Sequence, residues 1–485
     1  MDSQLRSPSV VIILAAGQGT RMKSERPKVL HEILGRPLVG HVVAAAQGSG
    51  AGRVVVVTGY GRDQVSAYLG AHWPGVLTTV QEEQNGTGHA VNVTLTQLRE
   101  QGVEVSGGPV LVLNGDAPLL TSDTLTRLTA AHEEQAAAVT VLSALLDDPT
   151  GYGRIIRDDE GRVIANTEHA DADEQTRQIN EINSGMYAFD PVFLVDGINR
   201  IGSHNAQGEQ YLPDLIALAR DEGLVVSAVP AEDVQEIEGV NNRQQLAACG
   251  KVLQRRVNGA WMRAGVTMTD PDTTYIDAAV ELQPDVVLEP GVILRGGTEI
   301  AAGAVVGPDC TLIDTEVDVE ARVNRTHAEL AVIGPRAEVG PFTRLRPGTK
   351  LAADSKAGSY VEIKNSQIGE GAKVPHLSYV GDATVGARTN IGAATVFVNY
   401  DGVSKHHTDI GEEVRIGSDT MLVAPVTIGD GAYTAAGSVI TEDVPPGGLG
   451  IGRGRQRNVD HWVTRNRPDS PSAAAARASE EEDGQ

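Results

Sequence analysis

Two different spacings of apolar residues divide the 485-residue chain. In the first half, short β-branched runs at 10–14, 54–58, 110–113 and 139–142 alternate with segments of helical period at 37–47, 88–98 and 121–134. That alternation predicts a βαβ domain around a mostly parallel sheet, whose ligands bind beyond the carboxyl ends of the strands. The second spacing begins at Ile276. An aliphatic residue recurs every six positions through Leu282, Leu288, Leu294, Ile300, Val306 and Leu312; the pattern returns at Ile333, Val339, Leu345 and Leu351, and again at Ile410, Ile416, Leu422 and Ile428. Neither a helix nor a simple strand has a period of six, whereas a triangular parallel β-helix built from three hexapeptides per coil does. Its flat faces suggest lateral assembly, for which a three-fold oligomer is the simplest closed form.

Between the two patterns, Leu246, Leu253, Val257 and Trp261 fall at helical spacing and predict a joining helix. The expected organisation is a first domain over 1–242, a helical linker over 243–265, the repeat domain over 266–464 and a tail over 465–485. The tail is rich in Ala and Ser and ends in an acidic run, a composition that predicts disorder.

Charge and composition narrow the function. A formal charge of −24 argues against a nucleic-acid or anionic-membrane binder, although local cations can still hold a small anionic substrate. There are 55 glycines and only 4% aromatic residues, which points to a turn-rich core of small aliphatic side chains. No apolar run reaches the roughly 18 residues of a transmembrane helix, and no leader pattern precedes the first strand. Cys249 and Cys310 have no metal-type spacing. A reducing, cytoplasmic setting is the expectation.

The first strand breaks at Leu14, Ala15, Ala16 and Gly17 into a loop carrying Gly19, Arg21 and Lys28. Small residues let main-chain N–H groups approach anionic oxygens, and Arg21 and Lys28 add a planar fork and a point charge, so the loop reads as a phosphate cradle. No Walker Gly-Lys-Ser/Thr follows. An ordinary strand-to-loop turn competes for a bare GxG, but the full LAAGxGxRM pattern followed by Pro27-Lys28 favours the cradle. Gln81 with Gly86, Thr87 and Gly88 could face a nucleobase edge or open a polar helix. Asn114-Gly115-Asp116 ends a strand, and the carboxylate of Asp116 suits a hard cation that bridges phosphate oxygens. Asn241 offers a second oxygen ligand, with helix capping as its competing role. Gly153, Glu168 and Asn183 read as loop punctuation that gains meaning only if it shares a cleft with the cradle.

In the repeat half, 346–379 and 399–408 interrupt the period most clearly. His376 follows a turn proline, Glu362 and Lys364 lie about one coil earlier, and an 18-residue coil separates Arg346 from Lys364, so the two cations could stack on one face. A surface or capping role is the ordinary reading of a lone His.

The ordered set LAAGQGTRMKSERPKVLH, QEEQNGTGHA, NGDAPLL, GYGRI, EINSG and EGVNNR resembles the sugar-nucleotide pyrophosphorylase domain. The segments RLRPG, VEIKNS, HLSYVGDA, NIGA, VNYDG, GSDTMLVAPVTIGDGA and AAGS are similar to a left-handed β-helix acetyltransferase. Together they resemble the bacterial bifunctional N-acetylglucosamine-1-phosphate uridyltransferase/glucosamine-1-phosphate acetyltransferase family over nearly the whole chain. The resemblance implies a Rossmann-like nucleotidyltransferase domain followed by a left-handed parallel β-helix. It also implies acetyl transfer from acetyl-CoA to glucosamine 1-phosphate, then uridyl transfer from UTP with Mg²⁺, in a cytoplasmic homotrimer that supplies cell-wall synthesis.

By position, the uridine-nucleotide and sugar site would comprise Leu14, Ala15, Ala16, Gly17, Lys28, Gln81, Gly86, Thr87, Asn114, Gly115, Asp116, Gly153, Glu168, Asn183 and Asn241. Asp116 and Asn241 would hold the metal, while Arg21 and Lys28 would stabilise departing pyrophosphate. His376 would be the base for acetyl transfer. Arg346, Lys364, Tyr379 and Asn390 would bind glucosamine 1-phosphate; Ala393, Asn399, Tyr400, Ser418, Ala436 and Arg453 would line the acetyl-CoA groove, Arg453 being chosen by spacing over Arg455 and Arg457. Glu362 is expected, from its place one coil earlier, to orient His376. Asn114, Ala394 and His406-His407 depart from the residues common in relatives. A nucleotidyltransferase with a merely structural β-helix, or a non-catalytic scaffold, is the alternative; Arg21, Asp116 and His376 together speak against both.

Overall fold

The computed structural model describes residues 6–203 and 208–482. It divides into two compact units, one covering residues up to 302 with 306–314, the other 303–305 with 315 onward. The division falls among the short hexapeptide strands, beyond the helix at 243–263 that the sequence pattern predicts as a linker.

The first unit is built on a nine-stranded sheet. Its strands are β1 (Val10–Leu14), β2 (Val54–Thr58), β3 (Leu77–Val80), β4 (Val110–Asn114), β5 (Val139–Leu145), β6 (Gly153–Arg157), β7 (Val163–Thr167), β8 (Glu181–Phe189) and β9 (Val226–Pro230). The order is β9-β5-β8-β4-β1-β2-β3, with the β6–β7 hairpin attached to β8. β1 pairs parallel with both β2 and β4. β8 is the antiparallel member between β4 and β5. Alternate residues of the parallel strands face two separate apolar layers: Val10, Ile12 and Val112 one way, Val11, Ile13 and Leu113 the other. Burial on both faces explains why these strands read as unbroken aliphatic runs.

The predicted helices appear at Leu38–Gly48, Thr87–Glu100 and Ser122–Glu134. Thr121 caps the last by accepting from Thr124 N. The helix Arg243–Arg263 forms as expected, but Leu246, Leu253, Val257 and Trp261 are only half-buried. Its fully buried residues are Cys249, which packs against Ile33, Leu38, Leu119 and Val240, and two amides: Gln254 Nε2 donates to Thr274 O at 2.6 Å, and Asn258 Nδ2 to Thr274 O at 2.9 Å and Pro271 O at 2.8 Å. Leu246 and Leu253 of the predicted stripe pack on that apolar cluster, and polar anchors to a turn stand beside them.

Hexapeptide strands follow in both units as a left-handed parallel β-helix. In the first unit Ile276 pairs with Leu294 and Leu282 with Ile300, 18 residues apart. In the second, coil length varies. Val317 and Ile333 are 16 residues apart, Leu345 and Ile363 are 18, and Ile363 and Val380 are 17. Val385 and Ile410 are 25 apart, because residues 399–407 leave the ladder between them. The predicted interruption at 346–379 is thus a shortening of coils with the ladder intact, whereas that at 399–408 is a true excursion.

The tail differs from expectation. Residues Pro471–Glu482 form a helix, with Ser470 Oγ accepting from Ala473 N at 3.1 Å and Ala473 fully buried. The Ala-rich run that resembles low complexity is also the best helix-forming composition, and a capped start lets it express that propensity. Among the described residues no helix is long and apolar enough to cross a membrane.

Candidate active sites

At the carboxyl ends of β1 and β4 the two motif loops lie side by side. Gly115 N donates to Leu14 O at 2.9 Å, and a Cβ on Gly115 would stand 2.8 Å from that oxygen, so glycine is what lets the strand ends meet. Ala16 O accepts from Tyr60 N at 3.1 Å and from Gln84 Nε2 at 2.8 Å, which fixes the cradle backbone. Lys28 Nζ is ion-paired with Asp116 Oδ2 and reaches Asn241 Oδ1 at 3.2 Å; Arg21 Nη2 donates to the same Asn241 oxygen at 2.9 Å. Four predicted residues from three distant segments therefore converge.

Asn241 does not cap the following helix. That role belongs to Asn242, whose Oδ1 accepts from Gln245 N at 2.9 Å, leaving Asn241 free to face the cradle. The two side-chain oxygens of Asp116 and Asn241 meet on one cationic group, Lys28 Nζ, and that donor set fits a hard divalent ion completed by phosphate and water oxygens. Among the described residues no cluster of three His, Cys, Asp or Glu side chains offers a self-sufficient metal site.

Beside the cradle, Leu14, Gly17, Gln81, Gly86 and Thr87 line one small cavity, while Asn114, Gly153, Glu168 and Asn183 line an adjoining cleft of about 610 Å³. Gln81 Nε2 donates to Gly86 O at 3.1 Å and lies 3.1 Å from His89 Nδ1, which aims its amide across the loop. Asn183 is not on a loop: it sits at an irregularity of β8, where pairing with β5 breaks between Asn183 and Met186 and Gly185 takes φ of +77°. Such a bulge re-aims a side chain, and here Asn183 Nδ2 donates to buried Tyr187 Oη at 2.8 Å. Burial pushes the Tyr187 phenol up, so it stays protonated. Gly153 opens β6, and Glu168 follows β7 and accepts from Asn166 at 3.1 Å. Asn114, the departure from relatives, donates to Ser184 O at 3.0 Å and so shares the cleft. Sequence reasoning missed Tyr187, which lies just outside the EINSG motif, and passed over Gln84, which lies inside QEEQNGTGHA but bonds the cradle backbone 68 residues away.

In the second unit the predicted residues gather at two corners. His376 O accepts from Ala394 N at 3.2 Å, Ala393 O from Asp419 N at 2.7 Å, and Ser418 O from Gly437 N at 2.9 Å. His376, Ala393, Ser418 and Ala436 thereby mark one corner through successive coils. Ala394 there has φ of +59°, the left-handed conformation that glycine adopts without strain. Gly452 N bonds Ser438 Oγ at 3.2 Å, which brings the neighbouring Arg453 toward the end of this column.

The next corner holds Lys364, Asp382 and Asn399, with Tyr379 in register with Glu362 on the sheet between. A Cβ on Gly381 would lie 2.4 Å from Tyr379 Oη and 2.8 Å from Asn399 Nδ2, so those groups enclose it. Asn390 is separate, on the sheet that carries Lys373–His376 and opposite Lys373. Tyr400 Oη is turned within its own loop, donating to Gly402 O at 2.7 Å. Glu362 pairs with Arg346 in this chain. Its Oε1 accepts from Arg346 Nη1 at 2.9 Å, and among the described residues no hydrogen bond joins it to the imidazole. Arg346 and Lys364 do lie on neighbouring coils, but each has its own carboxylate: Glu362, and Asp382 at 3.8 Å.

Two family models match in order: the MobA-like NTP transferase domain over residues 11–178, and the six-repeat bacterial transferase hexapeptide over 407–442. Proteins called bifunctional protein GlmU are similar along the whole length. That of Streptomyces coelicolor is 54% identical over 484 residues, covering 99% of each chain. The Corynebacterium diphtheriae protein is 52% identical over 97% of each, and the Kineococcus radiotolerans protein 53% identical over 100% of this chain and 98% of its own. With half of all positions shared end to end, and with a nucleotidyltransferase fold and a hexapeptide prism in the same order, the chain belongs to the bifunctional GlmU family.

Proposed function

We propose that the chain acetylates glucosamine 1-phosphate in its second unit and uridylylates the product in its first, forming UDP-N-acetylglucosamine for cell-wall synthesis. The observation that carries this reading is the convergence of Lys28, Arg21, Asp116 and Asn241 on the cradle at the carboxyl ends of β1 and β4.

For uridyl transfer, an oxygen of N-acetylglucosamine 1-phosphate attacks the α-phosphorus of UTP and pyrophosphate leaves. The nucleophile is already anionic, so alignment and charge neutralisation do the work and no general base is needed. The main chain of 14–17 cradles the triphosphate, Arg21 and Lys28 neutralise the departing pyrophosphate, and Gln81, Gly86 and Thr87 face the uracil. The cleft at Asn114, Gly153, Glu168 and Asn183 takes the sugar. Mg²⁺ held by Asp116 and Asn241 would supply the remaining positive charge on the phosphate oxygens.

For acetyl transfer, the sugar amine attacks the thioester carbonyl, the C–N bond forms, His376 takes the amine proton and CoA leaves as its thiol. Imidazole suits that task near neutral pH. Arg346, Lys364, Tyr379 and Asn390 hold the sugar phosphate; Ala393, Asn399, Tyr400, Ser418, Ala436 and Arg453 hold acetyl-CoA. His376 and Lys364 stand at different corners of one prism, so a homotrimer that brings corners of neighbouring chains together supports a complete site. The charge balance and thiol usage fit a cytoplasmic enzyme.

Glucosamine 1-phosphate, acetyl-CoA, UTP and Mg²⁺ are supplied together and the products identified by mass. His376→Ala is expected to abolish acetylation while uridyl transfer to separately added N-acetylglucosamine 1-phosphate persists, and Asp116→Ala to acetylate glucosamine 1-phosphate without forming the nucleotide sugar from either substrate. Loss of both activities together in either folded variant overturns the two-site reading.

A further inference from the structure

Residues 400–407 are the one long excursion among the coils around them, and both of its ends rest on the same residue. Asn399 Nδ2, at the entry, donates to Asp382 Oδ2 at 2.5 Å; Thr408 N, at the exit, donates to Asp382 O at 3.2 Å. The other carboxylate oxygen accepts from Asn365 Nδ2 at 2.7 Å. Asn365, Asp382 and Asn399 follow one another at intervals of 17, one per coil, so a single corner column links three coils through side chains.

The same carboxylate faces two cations. Lys364 Nζ lies 3.8 Å away, and Lys405, on the excursion, acts on both groups. Asp382 is only 8% exposed and has φ of +51°, a conformation that an L-residue keeps only when its surroundings fix it. Burial pushes its carboxyl up, but the amides of Asn365 and Asn399 and the charges of Lys364 and Lys405 hold it below the ordinary range. Lys364 is pulled down by the approach of Lys405 and by burial, with Asp382 opposing and Arg346 adding to the depression. Without the carboxylate, two ammonium groups would confront each other with no counter-charge between them.

We infer that Asp382 is the positioning residue of the acetyl-transfer site: touching no substrate, it fixes Lys364 for the sugar phosphate and ties down both ends of the 400–407 excursion that carries Tyr400 and Lys405. This rests on the acetyl-transfer reading above. Asp382→Asn keeps the size and the hydrogen-bonding shape but removes the charge. It is expected to raise KM for glucosamine 1-phosphate about tenfold with kcat within threefold of wild type, leaving uridyl transfer unchanged. Native trypsin digestion should also cut after Lys405 at least several-fold faster.

Asn365→Asp sets a second carboxylate against Asp382 from outside the core, and the same two effects are expected at smaller size; it serves as the test if Asp382→Asn does not fold. Unchanged KM and unchanged cleavage in a folded variant, or a fall in kcat with no change in KM, overturns the inference. A wild-type protein that makes no acetylated sugar instead overturns the acetyl-transfer reading, and the two failures are thereby told apart.

Discussion

Gly115→Ala probes how closely the two halves of the nucleotide site are built together. The added methyl would stand 2.8 Å from Leu14 O, 3.2 Å from Ala15 Cβ and 3.3 Å from Ile13 Cγ2, where ordinary contact begins at 3.4 Å. The nearest atom is backbone inside a parallel ladder and cannot rotate away, so the ends of β1 and β4 must separate by roughly 0.5 Å. One end carries the cradle and the other Asp116, so the separation acts on the distance between triphosphate and carboxylate. Overpacking of this kind costs about 1–3 kcal/mol of stability. A misplacement of about 1 Å can reduce a transfer rate about 100-fold, so half of that predicts a loss on the order of tenfold or more. Pyrophosphate release from UTP and N-acetylglucosamine 1-phosphate measures the effect, with acetyl transfer by the same preparation as an internal control. Uridyl transfer within twofold of wild type, in protein that retains acetyl transfer, would refute the reasoning.

Adjacent asparagines should separate cleanly: Asn242→Ala removes a helix cap and lowers stability by about 1 kcal/mol with kcat for uridyl transfer unchanged, whereas Asn241→Ala lowers kcat with little change in thermal midpoint. An equal fall in midpoint for both would place Asn241 in the cap. His41 and His132 are buried and lowered from 6.5 to about 4, chiefly by burial. The unfolded chain therefore binds their protons first, and their neutral burial supports the fold above pH 6.5 and ceases to do so as pH falls toward 4. At pH 5 the loss is on the order of 2 kcal/mol each. His132→Gln should accordingly lose less thermal stability between pH 7.5 and pH 5 than wild type; parallel losses would refute that assignment. Because Glu362 pairs with Arg346, Glu362→Gln should leave the pH profile of acetyl transfer unmoved, and a shift of its acid limb would return Glu362 to His376.

What the sequence disclosed was whatever is local or repeated. The β1 break, Asn114-Gly115-Asp116 and the six-residue period each announce themselves within a few residues, and the structure assembles them as their chemistry requires. Long-range relations stayed hidden. β8 reads as polar punctuation because its bulge interrupts the alternation that would mark a strand, and Asn183 owes its direction to that bulge. Asp382 escaped notice because its partners lie 17 residues away on either side, a spacing that means nothing until the coils at that point are known to be one residue short. Asn241 and Asn242 are equivalent as letters and differ only in which one the helix start uses. The tail reads as disordered from composition, yet alanine-rich sequence with a serine before it is equally a helix.

Coil length runs 16, 18, 17, 25 and 18 residues without disturbing the ladders on either side. Each coil takes its register from the one beneath it through its own backbone bonds, so an inserted or deleted codon at a corner stays a local event. Within a strand of a two-faced sheet, by contrast, a one-residue slip of register turns that strand's whole apolar set to the other face. The prism is therefore a scaffold on which loops can be lengthened one at a time. The 400–407 excursion shows the result: a new polar surface gained at one level, with the level above and the level below left as they were.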